Sequence, residues 1–472
     1  MTRPRLLLVA AVAAFAVALG GLAVLQHLAF WSGRFDLGNL VQAVWSSAHG
    51  DLLRVTNLRG EQMSRLGAHA DPILLLLVPL WWAWPEPSAL LVVQAALVSL
   101  GAVPAFLLAR RHLGSEWGGL GFGLAYLLYP ATQWLVLDDF HPVALAAPLL
   151  LCAIWLLDAD RLLAFAGVAA LACLTKEQVG LTVAALGVWY ALARGRPRAG
   201  LAIAASGAVA AVVATAVVVP HFAPGGTSPF AGRYERVGGS PAGMVETLVR
   251  DPGTIVAEAT QRRDGAYFLD LLWPLAGLPL LSPLALAAAP ELALNTLSGA
   301  PTQTSVHFHY TATIVPVLLA AAVLGAARAG RRRPVARSAL PRLAVVACLA
   351  GGMVLGPLPI WGHVPLGSEL AAREHVVGEH ARAASSVLEL VPPGDVVSAT
   401  NTLGAHLSAR ERVLSFPVLA DARWVAVDVR RPSTFDRAVD PQGLATALSR
   451  LRADPRFTLV AADDGVLLFR RR

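Results

Sequence analysis

Charge is scarce in this 472-residue chain: Asp, Glu, Lys and Arg make up 15% of it, against 56% hydrophobic residues. Soluble proteins carry about 25% charged residues, so a water-soluble enzyme is excluded. Lysine is almost missing, Lys176 being the single one among 38 basic residues. Cysteine is rare and odd in number, and Cys152, Cys173 and Cys348 all fall in apolar runs, so no disulfide framework is implied. A nucleotide-phosphate loop, a zinc-binding cysteine quartet, a serine elbow and a dinucleotide fingerprint are all absent, which disfavours chemistry driven by soluble nucleotides.

What remains is apolar. The mean hydropathy is +0.59, and apolar runs of about 15 to 25 residues recur over the first 360 positions, the length that a bilayer demands of a spanning helix. Short alternating segments typical of a membrane β-barrel are not seen. The net charge of +7 does not mark a nucleic-acid binder, because the arginines sit in short clusters between apolar runs, where they set membrane orientation. Leu6 to Trp31 reads as a retained first helix with a cytoplasmic N-terminus, too long for a signal peptide. Further helices are expected near 88–109, 116–137, 143–157, 161–175, 178–193, 200–219, 267–281, 283–297, 310–328 and 342–360, about eleven crossings in all. The run from Ile73 to Trp84 is too short to span and is rich in proline and tryptophan, which suits the interface.

With that run interfacial, Arg110 and Arg111, Arg161, Arg194 to Arg198, and Arg328 to Arg342 all fall on cytoplasmic connections. The loops 32–72, 138–142, 220–266 and 298–309 then lie outside. The expected organisation is a transmembrane domain over 1–365 and a soluble α/β domain over 366–472, also extracytoplasmic, in a multi-pass protein of the cell membrane. In the tail, a helix is predicted at Ala371 to Leu390 and strands at Val396–Ala399, Val413–Phe416, Trp424–Val429, Phe457–Ala461 and Val466–Phe469. Asp463-Asp464-Gly465 predicts a hairpin turn.

Residues suited to chemistry gather on that outer face. Asp36, Asn39 and Gln42 recur at a spacing of three, which puts them on one face of a short juxtamembrane helix. Asp36 is a candidate base or metal ligand there, against the blander reading of a helix cap. Asp138, Asp139 and His141 crowd a turn between two apolar helices, costly near hydrocarbon unless they face a cavity or a cation. Oxygen and imidazole donors suit Mg²⁺ or Mn²⁺, which makes Asp36, Asp138, Asp139 and His141 the candidate ligands. Lys176 offers a point charge to a phosphate, with Glu177 beside it. His69, and His307, His309 and Tyr310 in a later outer loop, are further substrate-binding candidates, whereas Arg233, Tyr234 and Arg236 read as ordinary loop surface.

The series Phe35-Asp36-Leu37-Gly38, Gln42, Trp45, His49-Gly50, His69-x-x-Pro72, Phe140-His141-Pro142 and Lys176-Glu177 resembles the membrane family called domain of unknown function 2079. In the tail, Ser398-Ala399-Thr400-Asn401, His406-Leu407-Ser408 and Arg410 continue that resemblance. The family is in turn similar to the GT-C membrane glycosyltransferases, which take sugars from polyprenyl phosphates. The resemblance implies a GT-C-like helical membrane fold in which Asp36 is the essential first-loop acid and Asp138, Asp139 and His141 are the polar residues of the second loop. It also implies a polyprenyl-phosphate sugar donor, membrane lipids as neighbours, and a glycan, lipid or protein acceptor outside the cell. This chain departs from the GT-C pattern in lacking an Asp-Glu pair in the first loop, in having Glu177 after Lys176, and in its α/β tail. The competing readings are a transporter or flippase for lipid-linked or anionic solutes, and a non-catalytic envelope protein. The enzyme reading requires Asp36, Asp138 or Asp139, His141 and Lys176 to line one cavity.

Overall fold

The computed structural model describes residues 1–368, 374–438 and 443–472. Among these, five helices are long and apolar enough to cross a membrane: Arg3–Leu28, Pro87–Leu113, Pro197–Phe222, Ile314–Arg332 and Ala336–Leu355. A sixth span arises if Glu116–Leu128 and Pro130–Leu137 are counted together, bent by 48° at the break. Pro130 causes that bend, since its ring blocks the preceding turn and its nitrogen carries no proton.

The other predicted crossings are shorter than expected. Pro142–Asp158, Leu162–Cys173 and Val179–Ala193 are apolar helices of fewer than 18 residues, and between the short helices Arg262–Leu272 and Ala289–Thr296 the chain breaks into the turns Trp273–Leu275, Leu278–Leu281 and Pro283–Ala288. Prolines 274, 279 and 283 interrupt the hydrogen-bond ladder there. The interfacial run is one short apolar helix, Pro72–Ala83, that begins as 3₁₀ turns over Pro72–Leu77 and ends as α-helix over Val78–Ala83.

The lipid-facing helices are poorly buried: in Pro197–Phe222 only 17% of the most apolar window is covered by protein. Small residues make its contact with the helix Val179–Ala193. A Cβ on Gly187 would stand 2.4 Å from the Ala204 nitrogen, so the helix Val179–Ala193 and its neighbour meet backbone to backbone, the way helices associate in lipid.

The first loop contains a small ribbon, β1 (Arg54–Thr56) antiparallel to β2 (Gln62–Ser64). The tail forms one mixed sheet from β3 (Val397–Ala399), β4 (Val413–Ser415), β5 (Trp424–Asp428), β6 (Phe457–Asp463) and β7 (Val466–Arg471), in the order β4-β3-β5-β7-β6. All five predicted strands are present. β3 runs parallel to β4 and β5, whereas β7 is antiparallel to β5 and β6. Asp464 and Gly465 close the last hairpin with φ of 43° and 84°, the pair of positive values that a two-residue turn needs. The tail helix spans Glu379–Leu388; the first residues of its predicted range, 371–373, lie outside the described residues.

Candidate functional site

Asp36 sits on a single π-type turn, Arg34–Gly38, which runs straight into the helix Asn39–Ala48. A π turn carries an extra residue and so re-aims the side chains on it, a device frequent at functional sites. The tail grips this turn. The buried Arg34 guanidinium donates to Ser415 Oγ at 2.7 Å, to the Val413 carbonyl at 2.6 Å and to the Thr56 carbonyl at 2.8 Å. Asn401 Oδ1 accepts from the Phe35 N–H at 3.0 Å. A Cβ on Gly38 would overlap Ser408 Oγ, so glycine is needed where the tail helix Asn401–His406 approaches.

The turn after Pro130–Leu137 holds the second group. Asp139 has φ of 53°, in the left-handed region that aspartate tolerates better than most residues. That reversal sends the two adjacent carboxylates apart. Asp138 Oδ2 accepts from the His309 N–H at 2.8 Å and from His309 Nδ1 at 2.9 Å, while Asp139 Oδ2 accepts from the Gly33 N–H at 2.9 Å. His141 Nδ1 donates to the Asp138 carbonyl at 2.7 Å, and its ring stacks on His309 with centroids 3.6 Å apart. His141 Nε2 faces Asp36 Oδ1 at 3.4 Å. The fully buried Gln94 pins this turn, donating to the Asp139 carbonyl at 2.7 Å and accepting from the His141 N–H at 2.8 Å.

Burial pushes Asp138 well above the usual carboxylate range, with the nearby Asp36 adding to the effect. The same two causes raise Asp139 to about 8. Burial, assisted by His141 and Lys176, holds His309 well below its ordinary value and so neutral.

The third group comes from the end of the first loop and the turn after Leu162–Cys173. Arg65 clasps Asp71 Oδ2 through Nε at 2.9 Å and a terminal nitrogen at 2.8 Å, so Asp71 is an ion-pair partner and not the helix cap its place before Pro72 suggests. Glu177 accepts from His69 Nδ1 at 2.8 Å and from the Ala70 N–H at 3.0 Å. Burial lowers His69 to about 4 despite Glu177. Burial would raise Glu177, but His69 and Lys176 outweigh it and bring it to about 2. The contact is therefore a neutral imidazole N–H on a carboxylate, which leaves His69 Nε2 a bare acceptor. Lys176 makes no ion pair among the described residues; its ammonium lies 5.3 Å from the Tyr310 ring centre, and it is 7% exposed.

These groups converge on a cavity of about 510 Å³ whose lining includes Asp36, His69, His141, Lys176, His309 and Tyr310. Arg233, read from the sequence as ordinary surface, also lines it, bonding the Tyr310 hydroxyl at 3.1 Å. The requirement of a single cavity is met by Asp36, His141 and Lys176, on which the enzyme reading therefore rests, but not by Asp138 or Asp139. Asp138 and Asp139 line a second cavity, of about 600 Å³, together with His307. The alternation of His307 and His309 along an extended segment turns the two rings to different cavities. Gln42 is not in the lining of either: its amide is spent on Thr56 and on the Arg410 and Glu411 carbonyls. Glu177 likewise acts behind His69.

The metal candidates also change. Asp138, His141 and His309 bring ligand atoms within 4.8 Å of one another, whereas Asp139 is turned to Gly33 and Asp36 stands beside His141. Both imidazoles bond to Asp138 through Nδ1, so a cation ligated by all three side chains would take the place of the His309–Asp138 hydrogen bond. Two nitrogens and an oxygen suit Mn²⁺ better than Mg²⁺, which prefers oxygen alone. Arg34, Arg65 and Gln94 were missed by the sequence reading, and Asn401 entered it only as part of a tail motif. A lone amide inside the apolar run 87–113 was the available signal for Gln94; the partners of the other three are set by the fold.

A polytopic helical bundle with short juxtamembrane helices and a polar site at the helix ends is a GT-C-like fold. The fold is similar to two solved structures of ArnT from Cupriavidus metallidurans. One, bound to undecaprenyl phosphate, is 14% identical over 98% of this chain and 97% of that one, with a TM-score of 0.54. The other, in the apo state, is 16% identical with the same coverage and a TM-score of 0.52. The chain belongs to the DUF2079 family of predicted membrane proteins, whose model matches residues 26–468. No curated protein matches it.

Proposed function

We propose that this protein transfers a sugar from a polyprenyl-phosphate donor to an acceptor outside the cell, with the polar site on the extracytoplasmic face of the cell membrane. The observation that carries this reading is the pairing, across one cavity, of the accessible Asp36 carboxylate with Lys176, a buried ammonium that has no ion-pair partner among the described residues. An unpaired buried cation is costly unless an anion arrives to meet it, and a lipid phosphate supplies that anion. ArnT, the fold's likeness, is described bound to undecaprenyl phosphate.

In this mechanism Asp36 takes the proton from the acceptor hydroxyl. Lys176 and Arg233 offset the charge on the departing phosphate. His69 is not suited to that second role, because its one proton is already given to Glu177, and His307 lies toward the other cavity. The purified protein in lipid, supplied with polyprenyl-phosphate sugars, should turn them over, and Asp36→Asn should lower the rate by about 10²-fold or more while undecaprenyl phosphate still binds. Equal turnover in the variant removes Asp36 as the base.

A further inference from the structure

The second cavity has a composition of its own. Of the residues that line the two cavities, Asp36 alone is common to both. The first is dominated by cationic groups. The second sets the carboxyl groups of Asp138 and Asp139 and the rings of Trp31 and Trp134 on the membrane side against Asn401, Phe435, Arg431 and Arg437 from the tail, with the Arg431 guanidinium 5.6 Å over the Trp31 ring. The tail side is held in register: Phe435 stacks on Phe35 with centroids 4.7 Å apart, and Asp436 accepts from the Asn401 N–H at 2.7 Å.

Carboxyl groups and aromatic faces in one hollow match a particular ligand chemistry. A sugar ring presents an apolar C–H face that packs on indole or phenyl rings, and hydroxyls that pair with carboxyl and amide oxygens.

We infer that the second cavity binds a carbohydrate acceptor, held between the membrane part and the tail so that one hydroxyl faces Asp36. This rests on the transfer reading above and gives its acceptor a class and a place. The acceptor O–H yields its proton to the Asp36 carboxylate, the acceptor oxygen forms the new bond to the anomeric carbon, and the bond from that carbon to the phosphate oxygen breaks. The phosphate departs with the electron pair into the cationic cavity.

The test uses the full chain in lipid nanodiscs. Methyl glycosides of glucose, mannose, galactose and arabinose, and disaccharides of the same sugars, are the probes, with saturation-transfer NMR as readout and undecaprenyl phosphate binding measured on the same samples. Thr434→Trp, which narrows the second cavity from the tail, should weaken carbohydrate binding at least tenfold and leave undecaprenyl phosphate binding unchanged; Thr434→Ala should keep both. Lys176→Ala should do the reverse of the tryptophan variant. Retained lipid-phosphate binding shows that the variants are folded. If no glycoside of the set binds, or if Thr434→Trp leaves binding intact, the inference is overturned even where the donor is consumed. If carbohydrate binds and Thr434→Trp abolishes it, yet no polyprenyl-phosphate sugar is turned over, the carbohydrate site stands and the transfer reading fails.

Discussion

The side-chain oxygen of Asn401 accepts a hydrogen bond from the backbone N–H of Phe35 at 3.0 Å, so the tail holds the residue directly before the candidate base. The contact joins positions 366 apart in sequence. It makes the tail a part of the site's geometry rather than an appendage.

Asn401→Ala should therefore slow transfer by lowering kcat about tenfold with little change in KM for the donor, because about 1 kcal/mol of hydrogen bonding is lost from the turn that aims Asp36. Asn401→Asp keeps the acceptor oxygen and should stay near the wild-type rate. Equal kinetics for the alanine variant would show that the tail does not position the base.

Gln94→Leu should be more damaging. It orphans the Asp139 carbonyl and the His141 N–H, both buried in the turn, at a cost of about 2 kcal/mol or more. A lowered midpoint in thermal unfolding, together with lost activity, is the expected outcome; an unchanged midpoint means another group satisfies the turn.

Stability should fall with acidification. His69 faces Glu177, Lys176 and Arg65, and its folded value of about 4 lies below its ordinary 6.5. The unfolded chain binds a proton at this position between those values and the folded chain does not, so the stabilisation present above pH 6.5 is lost as pH falls toward 4. Glu177, lowered to about 2 from 4.5, extends the loss in the same direction at lower pH. Thermal midpoints measured from pH 7 to 4 check this, and His69→Gln, which does not titrate, should flatten the upper part of the curve.

Mn²⁺ should bind the Asp138, His141 and His309 set more tightly than Mg²⁺, and His309→Ala should abolish that binding. Electron paramagnetic resonance of Mn²⁺ titrated into the protein reads both. Equal Mn²⁺ binding by the variant would place the cation elsewhere.

Topology has its own check. Arg59 and Thr302 are exposed, as is Arg198. Cysteines at the first two should react with an impermeant thiol reagent on intact cells, and one at Arg198 should not. The opposite pattern would put the site on the cytoplasmic side.

Much of this was decided locally. Long apolar runs bounded by arginine mark the membrane part, and short apolar runs between turn signals mark five strands in the tail. Single polar residues in apolar surroundings, such as Lys176 and the Asp138–His141 turn, stood out because burying them is costly without a purpose. The partners of those residues were not legible. Whether Gln42 faces a ligand or the Arg410 and Glu411 carbonyls, whether Arg233 is loop surface or cavity wall, and whether Asp138 and Asp139 share a cavity with Lys176 all depend on contacts between segments hundreds of residues apart. Periodicity reports which face of a local element is polar, and one left-handed residue, Asp139, is enough to send neighbouring carboxylates in different directions. The division of the site into two cavities meeting at Asp36 is set by packing the tail against the first loop, and no local pattern encodes that.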